Sequence, residues 1–280
     1  MNCRKLLVAA ALFAAPASVS AQSVGKMFKD DFSFAAKDIW AVWTSPFHAS
    51  GRDWALVGAT LATSAAMLPV DKPVERWAQR NDDASALKFL DPLRRHGILF
   101  SGKYVVPPAL GLYLVGIATK NQAIRDGVMG CAASWGSTGI ARRAVYLAVG
   151  RERPDSSPDD NLRFSVPNTH GLGGKGWQYR SMPAGHFANV AGCASFLSHR
   201  FDMGIAEPAL YAVALGVMLG RTLDHGHWMS DNVVGGVMGY AAGSEIARRS
   251  LRRRATSSSP GFIVQPSEAG AVTFQFNWTF

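Results

Sequence analysis

Six apolar segments of helical length, 54–70, 104–119, 124–150, 186–199, 208–220 and 231–247, constrain the fold most. Strands average five or six residues, so runs of this length read as helices. The chain is therefore expected to be all-α, with a bundle of six core helices. Two polar stretches interrupt the series. Residues 71–100 are charged and read as partly helical. Residues 154–182, rich in Pro, Gly, Asp and Ser, read as a long loop of the kind that is usually functional. At the far end "AVTFQFNWTF" alternates with period two, placing Val272, Phe274, Phe276, Trp278 and Phe280 on one face. That pattern predicts a small C-terminal strand or hairpin packed on the helices. A terminal Phe also suits a membrane barrel, but no further barrel strands are visible.

The N-terminus has the order of a secretory signal: Arg4 and Lys5, the apolar run "LLVAAALFAA", then small residues up to Ala21. The expected organisation is a signal peptide over 1–21, an amphipathic segment over 22–52, a helical domain over 53–254 and a β tail over 255–280. The expected location is the periplasm. Apolar residues make up 48% of the 280, enough for a substantial core, and the net charge of +9 suits an anionic substrate or an anionic membrane surface. The arginines form no stripe interleaved with aromatics, so nucleic acid is not an expected partner. Of three cysteines, Cys3 leaves with the signal. Cys131 and Cys193 sit in helical patterns and read as buried thiols, with a disulfide open in an oxidising compartment.

Three short pieces concentrate the ionisable chemistry. "VGRERP" carries Arg151 and Arg153 at the end of one helix. "MPAGHF" carries Gly185 and His186 at the start of the next. "GRTLDHGHWMSD" carries Arg221, His225, His227 and Asp231. One reading of the last piece is a metal held by His225, His227 and Asp231, which leaves Arg153, His186 and Arg221 unexplained. The other is work on a phosphate. A helix opening at Gly185 and His186 points free N–H groups and the positive dipole end at an anion, and Arg153 and Arg221 offer forked donors. Asp231, four residues after His227, would hold one ring nitrogen and leave the other free to attack. His186 would protonate a leaving oxygen. His225 reads as a neighbour without a catalytic role, and Glu152 and Asp224 as solvated groups or ion-pair partners.

These pieces resemble the type 2 phosphatidic acid phosphatase and haloperoxidase superfamily, whose signature is K-x6-R-P, then P-S-G-H, then S-R-x5-H-x3-D. Arg153-Pro154, Pro183, Gly185-His186, Arg221, His227 and Asp231 match in order and spacing. The resemblance implies a helical bundle of the acid phosphatase and haloperoxidase type and hydrolysis of a phosphomonoester or diphosphate, with no metal and no cofactor. The partner would be a phosphorylated small molecule or a lipid phosphate, and a membrane surface is a further candidate. His227 would become a phosphohistidine, Asp231 would orient it, and His186 would act as acid and then base. Arg153, Arg221 and Gly185 would bind phosphate.

Tyr146 stands where the family has lysine, Ala184 and Gly220 where it has serine. Arg142 and Arg143, one turn before Tyr146, are candidates to replace the lost charge, as is Lys175. These departures keep two other classes in view: a non-catalytic relative that binds anionic lipid or phosphate, and a vanadate-dependent haloperoxidase. Helices 186–199 and 208–220 rise only about 20 Å against a hydrocarbon core of about 30 Å. Arg142 and Arg143 would be costly in lipid. A periplasmic helical body, resting on a membrane if associated with one, is therefore expected ahead of an integral one.

Overall fold

The computed structural model of the chain describes residues 23–81, 88, 102–172, 176–257, 262–266 and 272–276. The signal segment 1–21, Lys175, Trp278 and Phe280 lie outside the described residues. The body is all-α, with seven α-helices among the described residues: α1 (Val24–Thr44), α2 (Gly51–Arg80), α3 (Gly102–Ala118), α4 (Gln122–Ala148), α5 (Gly185–Arg200), α6 (Glu207–Leu223) and α7 (Met229–Ser257). Two short antiparallel pairs accompany them: β1 (Gly150–Arg151) with β2 (Phe164–Ser165), and the tail hairpin β3 (Phe262–Pro266) with β4 (Val272–Phe276).

Local signals account for the helix starts. Ser23, Ser50 and Asn121 cap α1, α2 and α4, and Ser50 forms a capping box with Asp53. α2 runs ten residues beyond the expected end at residue 70, through Pro73, to Arg80. Its polar residues explain the extension. Asp71 and Glu75 are buried and find partners on other elements, so the charged residues that follow the apolar run anchor a helix face.

The centre of the bundle is α5 wedged between α4 and α7. Gly235, Gly239 and Gly243 recur at every fourth residue of α7. A Cβ on each would collide with Ala184, Ala188 and Gly192 of α5 in turn, so the two helices run parallel at backbone contact. α4 runs antiparallel to α5. Gly130 receives the Phe196 ring, and Phe196 joins Ala133, Ile246 and Ala247 in the core. Cys131 and Cys193 meet across these two helices with Cα atoms 4.5 Å apart and form a disulfide. The thiol reading is thereby corrected: small residues on both helices bring the sulfurs within bonding reach. A crosslink over a separation of 62 residues constrains the unfolded chain by roughly 4 kcal/mol.

Much apolar surface faces outward. Trp54, Leu56, Val57 and Leu61 on α2 and Leu110, Leu112, Leu114 and Val115 on α3 are all exposed. α2 is the one helix among the described residues long and apolar enough to cross a membrane.

Candidate active site

The two C-terminal ends of α4 and α6 and the two N-terminal ends of α5 and α7 meet at one end of the bundle. β1 carries the chain out of α4 through Arg151 to Arg153. The long loop then returns alongside it: Arg151 pairs with Phe164 on one side and bridges to Arg180 on the other. This return lays Ser181 against α7. The Ala184 N–H donates to the Asp231 carbonyl (3.2 Å), and the Asp155 N–H to that of His225 (3.1 Å), so all three motif pieces are sewn together by backbone.

Three arginines surround two histidines here. Arg142 lies across Gly185 and Arg221 across Gly226, each occupying the space that a Cβ would fill. Arg153 stacks over Trp177, 5.7 Å from the ring centre. Burial, and then the charge of neighbouring Arg221, lowers the Arg153 pKa. Burial also lowers His186, to about 3, reinforced by Arg221, Arg142 and Arg153. His227 lies well below its ordinary value, again by burial first and then by Arg153 and Arg221. Both histidines are therefore neutral at pH 7. Nδ1 of His227 faces the Ser181 carbonyl at 2.6 Å. A carbonyl only accepts, so Nδ1 carries the proton and Nε2 keeps a bare lone pair. That Nε2 is buried without a partner, and so are Nε of Arg153 and Nε of Arg221.

Of the expected residues, His186, His227, Arg153, Arg221, Gly185 and Arg142 gather in this pocket. Arg143 does not: it is exposed on another face of α4, because consecutive helical residues point about 100° apart. Asp231 is present but is not bonded to His227 as expected. Its carboxylate accepts from Arg151 (2.6 Å), the Ser181 hydroxyl (2.5 Å) and the Trp228 N–H (2.9 Å). Spacing on a helix puts Asp231 near His227, but the Trp228 amide at the start of α7 turns the carboxylate inward. Nor do His225 and Asp231 join His227 as a metal set would require. His225 meets Glu75 of α2 at 2.7 Å, with φ at +53°. Asp224 pairs with Arg221, and Glu152 with Arg163. Tyr146, in the lysine position, donates its hydroxyl to the Pro183 carbonyl (2.9 Å) and so steadies the turn into α5.

The sequence reading gave no role to the supporting shell. Arg151 is fully buried and bonds Asp231, Asp71 (2.7 Å), Ser230 (2.7 Å) and the Asn161 carbonyl (2.6 Å). Asp71 also accepts from the Ser230 N–H and hydroxyl. The available signal was a lone carboxylate directly after the apolar run of α2.

The model of the PAP2 superfamily matches residues 127–254. Neither the curated proteins nor the solved structures yield a match to this chain. The matched segment contains α5 and α6, nearly all of α4 and α7, both histidines and the three arginines around them. Over residues 127–254, this chain is similar to the PAP2 superfamily.

Proposed function

We propose that the protein hydrolyses a phosphomonoester or diphosphate through a phosphohistidine at His227. One observation carries the reading: three buried nitrogens, Nε2 of His227 and Nε of Arg153 and Arg221, lack partners in a pocket whose histidines are neutral. Unpaired buried polar atoms are costly, and a phosphate would satisfy all three. Its oxygens would take the arginine N–H groups and those opening α5, and its phosphorus would face Nε2. Its negative charge would offset the arginines that hold His186 low, so His186 would gain a proton as substrate binds. Nε2 then attacks phosphorus, the leaving oxygen departs with the His186 proton, and the phosphoryl group stays on His227. In the second step His186 accepts a proton from water, the resulting hydroxide attacks phosphorus, and Nε2 leaves. The arginines stabilise the charge on the equatorial oxygens in both steps.

Similarity to the PAP2 superfamily supports phosphatase-type chemistry. The non-catalytic alternative draws on Tyr146, whose hydroxyl occupies a position where the family has a cation. Turnover separates the two. A panel of an aryl phosphate, phosphatidate in detergent and an isoprenyl diphosphate, run with EDTA, should show release of phosphate at an unchanged rate. Binding of phosphate without turnover would favour the non-catalytic relative. Loss of activity restored by zinc would favour the metal reading.

We also infer association with a membrane on an oxidising side of it. The exposed apolar faces of α2 and α3 support the first part, and the Cys131–Cys193 disulfide supports the second. Carbonate washing of membranes should leave the protein in the pellet, and release into the wash would count against lipid contact.

A further inference from the structure

Asp231 and His227 are four residues apart, yet one residue from another part of the chain stands between them. Ser181 is fully buried in the returning loop and tied on three sides. Its N–H donates to the Arg151 carbonyl (3.1 Å), its hydroxyl to Asp231 (2.5 Å), and its carbonyl accepts from Nδ1 of His227 (2.6 Å). Three residues on, the Ala184 N–H donates to the Asp231 carbonyl (3.2 Å). Asp231 therefore grips the segment 181–184 at both ends: the first end faces His227, and the second opens α5 just before His186.

We propose that Ser181 is a positioning residue through which Asp231 sets the tautomer of His227. The carboxylate has two oxygens. One is occupied by Arg151, which offsets part of the burial that raises the Asp231 pKa. The other takes the Ser181 hydroxyl and the Trp228 N–H. The hydroxyl fixes the peptide that follows it, and that peptide's carbonyl has one acceptor direction aimed at Nδ1. The proton is thereby kept on Nδ1 and off Nε2. Without the hydroxyl, the carbonyl can rotate away and the two tautomers of the neutral imidazole become closer in energy. A charged partner bonded directly to Nδ1 would raise the basicity of the ring. A carbonyl does so less, which agrees with a histidine held neutral among arginines.

The kinetic part rests on the phosphatase reading, and the tautomer part does not. The experiment compares wild type, Ser181→Ala, Ser181→Thr, Asp231→Asn and the Ser181→Ala/Asp231→Asn double variant in full-length protein. An aryl phosphate is the substrate, and the side-chain nitrogens are labelled for NMR. The His227 signals are assigned by their absence in His227→Gln. Wild type should show a single Nδ1–H tautomer, and Ser181→Ala a mixture. A wrong tautomer at a catalytic histidine costs up to about 10⁴-fold. Because the carbonyl survives this substitution, kcat should fall by roughly 10- to 100-fold with KM changed by less than about 3-fold. Threonine keeps the hydroxyl and should restore both the tautomer and kcat. In the double variant the two losses should not multiply, because they break one connection.

Four results would overturn the proposal: an unchanged tautomer in Ser181→Ala, an unchanged kcat, losses that multiply in the double variant, or a threonine variant that folds but is not rescued. Absence of turnover in wild type would overturn the phosphatase reading alone, and the NMR comparison would still decide the role of Ser181.

Discussion

The two ends of the bundle both bury arginine, and they treat it differently. At the end holding the N-terminus of α4 and the C-termini of α5 and α7, four buried or half-buried arginines each meet a carboxylate. Arg125 meets Asp31 at 2.8 Å, Arg200 meets Asp126 at 2.8 Å, and Arg249 and Arg253 share Asp38 at 2.8 and 2.7 Å. A cavity of ≈ 330 Å³ there is lined by the three carboxylates, Asp31, Asp38 and Asp126, and by Arg253. About 25 Å along α4, Arg151 is likewise paired, with Asp71 and Asp231, but Arg142, Arg153 and Arg221 crowd around neutral His186 and His227. Among the described residues, one carboxylate pairs directly with these three arginines, the exposed Asp224 on Arg221. A buried charge is tolerated when its counterion is at hand. Where the chain supplies the counterion, the arginines hold helices together. Where it does not, burial lowers the pKa values of Arg153, His186 and His227, and the arginines, which repel one another, lower them further.

The largest expected effect lies at the unbalanced end. His227→Ala should lower turnover by at least about 10⁴-fold, and Asp231→Asn by less, because arginines and backbone donors remain to bind phosphate. His225→Ala, which cuts the link to Glu75 on α2, should leave kcat per folded molecule within about 3-fold. Equal damage at His225 and His227 would sink the assignment.

Stability should respond in the opposite sense at the two ends. Asp31→Ala strands Arg125 and removes the acceptor of the Tyr113 hydroxyl, so unfolding free energy should fall by about 3–5 kcal/mol with kcat preserved. Arg153→Gln removes a cation from a site of like charges. It should abolish activity while leaving stability unchanged or raising it by about 1 kcal/mol. Chemical denaturation of both variants tests the contrast, which disappears if Arg153→Gln destabilises as much as Asp31→Ala.

Anion and pH titrations sharpen the comparison further. Orthovanadate or phosphate at a hundred times its Kd should add about 2.7 kcal/mol to wild type, and Arg153→Gln should lose that gain. Burial and the surrounding arginines bring the His186 pKa to about 3 and hold His227 low as well. Unfolded histidine binds its proton near 6.5, so below that pH the unfolded state holds more protons than the folded state. Stability should therefore fall as pH drops from about 6.5 toward 3. Bound anion raises the folded pKa and should flatten the slope. Melting curves across this range with and without phosphate measure it, and identical slopes would show that the anion does not face the histidines.

The smallest effects concern the motif departures. Ala184→Ser adds a donor at the N-cap of α5 and should tighten phosphate inhibition by about 1–2 kcal/mol. Tyr146→Phe removes the bond to Pro183 and should cost about 1 kcal/mol of stability. Unchanged inhibition in Ala184→Ser would place the bound anion away from the α5 N-terminus.

The sequence by itself determined the all-α character and the middle helices of the bundle. Apolar runs of helical length show a period that any core-facing helix must have, and α3 to α6 begin and end within three residues of expectation. His186, His227, Arg153 and Arg221 were legible because each sits at a helix end, where local spacing fixes what a side chain can reach. The alternation from Val272 was also local, and β4 covers Val272–Phe276. The tertiary structure decided which partner each polar group takes. Asp231 had a near neighbour by spacing and found distant ones instead. Asp71 and Glu75 fell in a charged stretch that read as partly helical, and nothing local marked Arg151, Ser230 and His225 as their partners. Cys131 and Cys193 needed two helices packed through small residues before their pairing could be known. Hydrogen bonds and ion pairs act over about 3 Å, and a linear pattern cannot say which of many distant groups will arrive within that range.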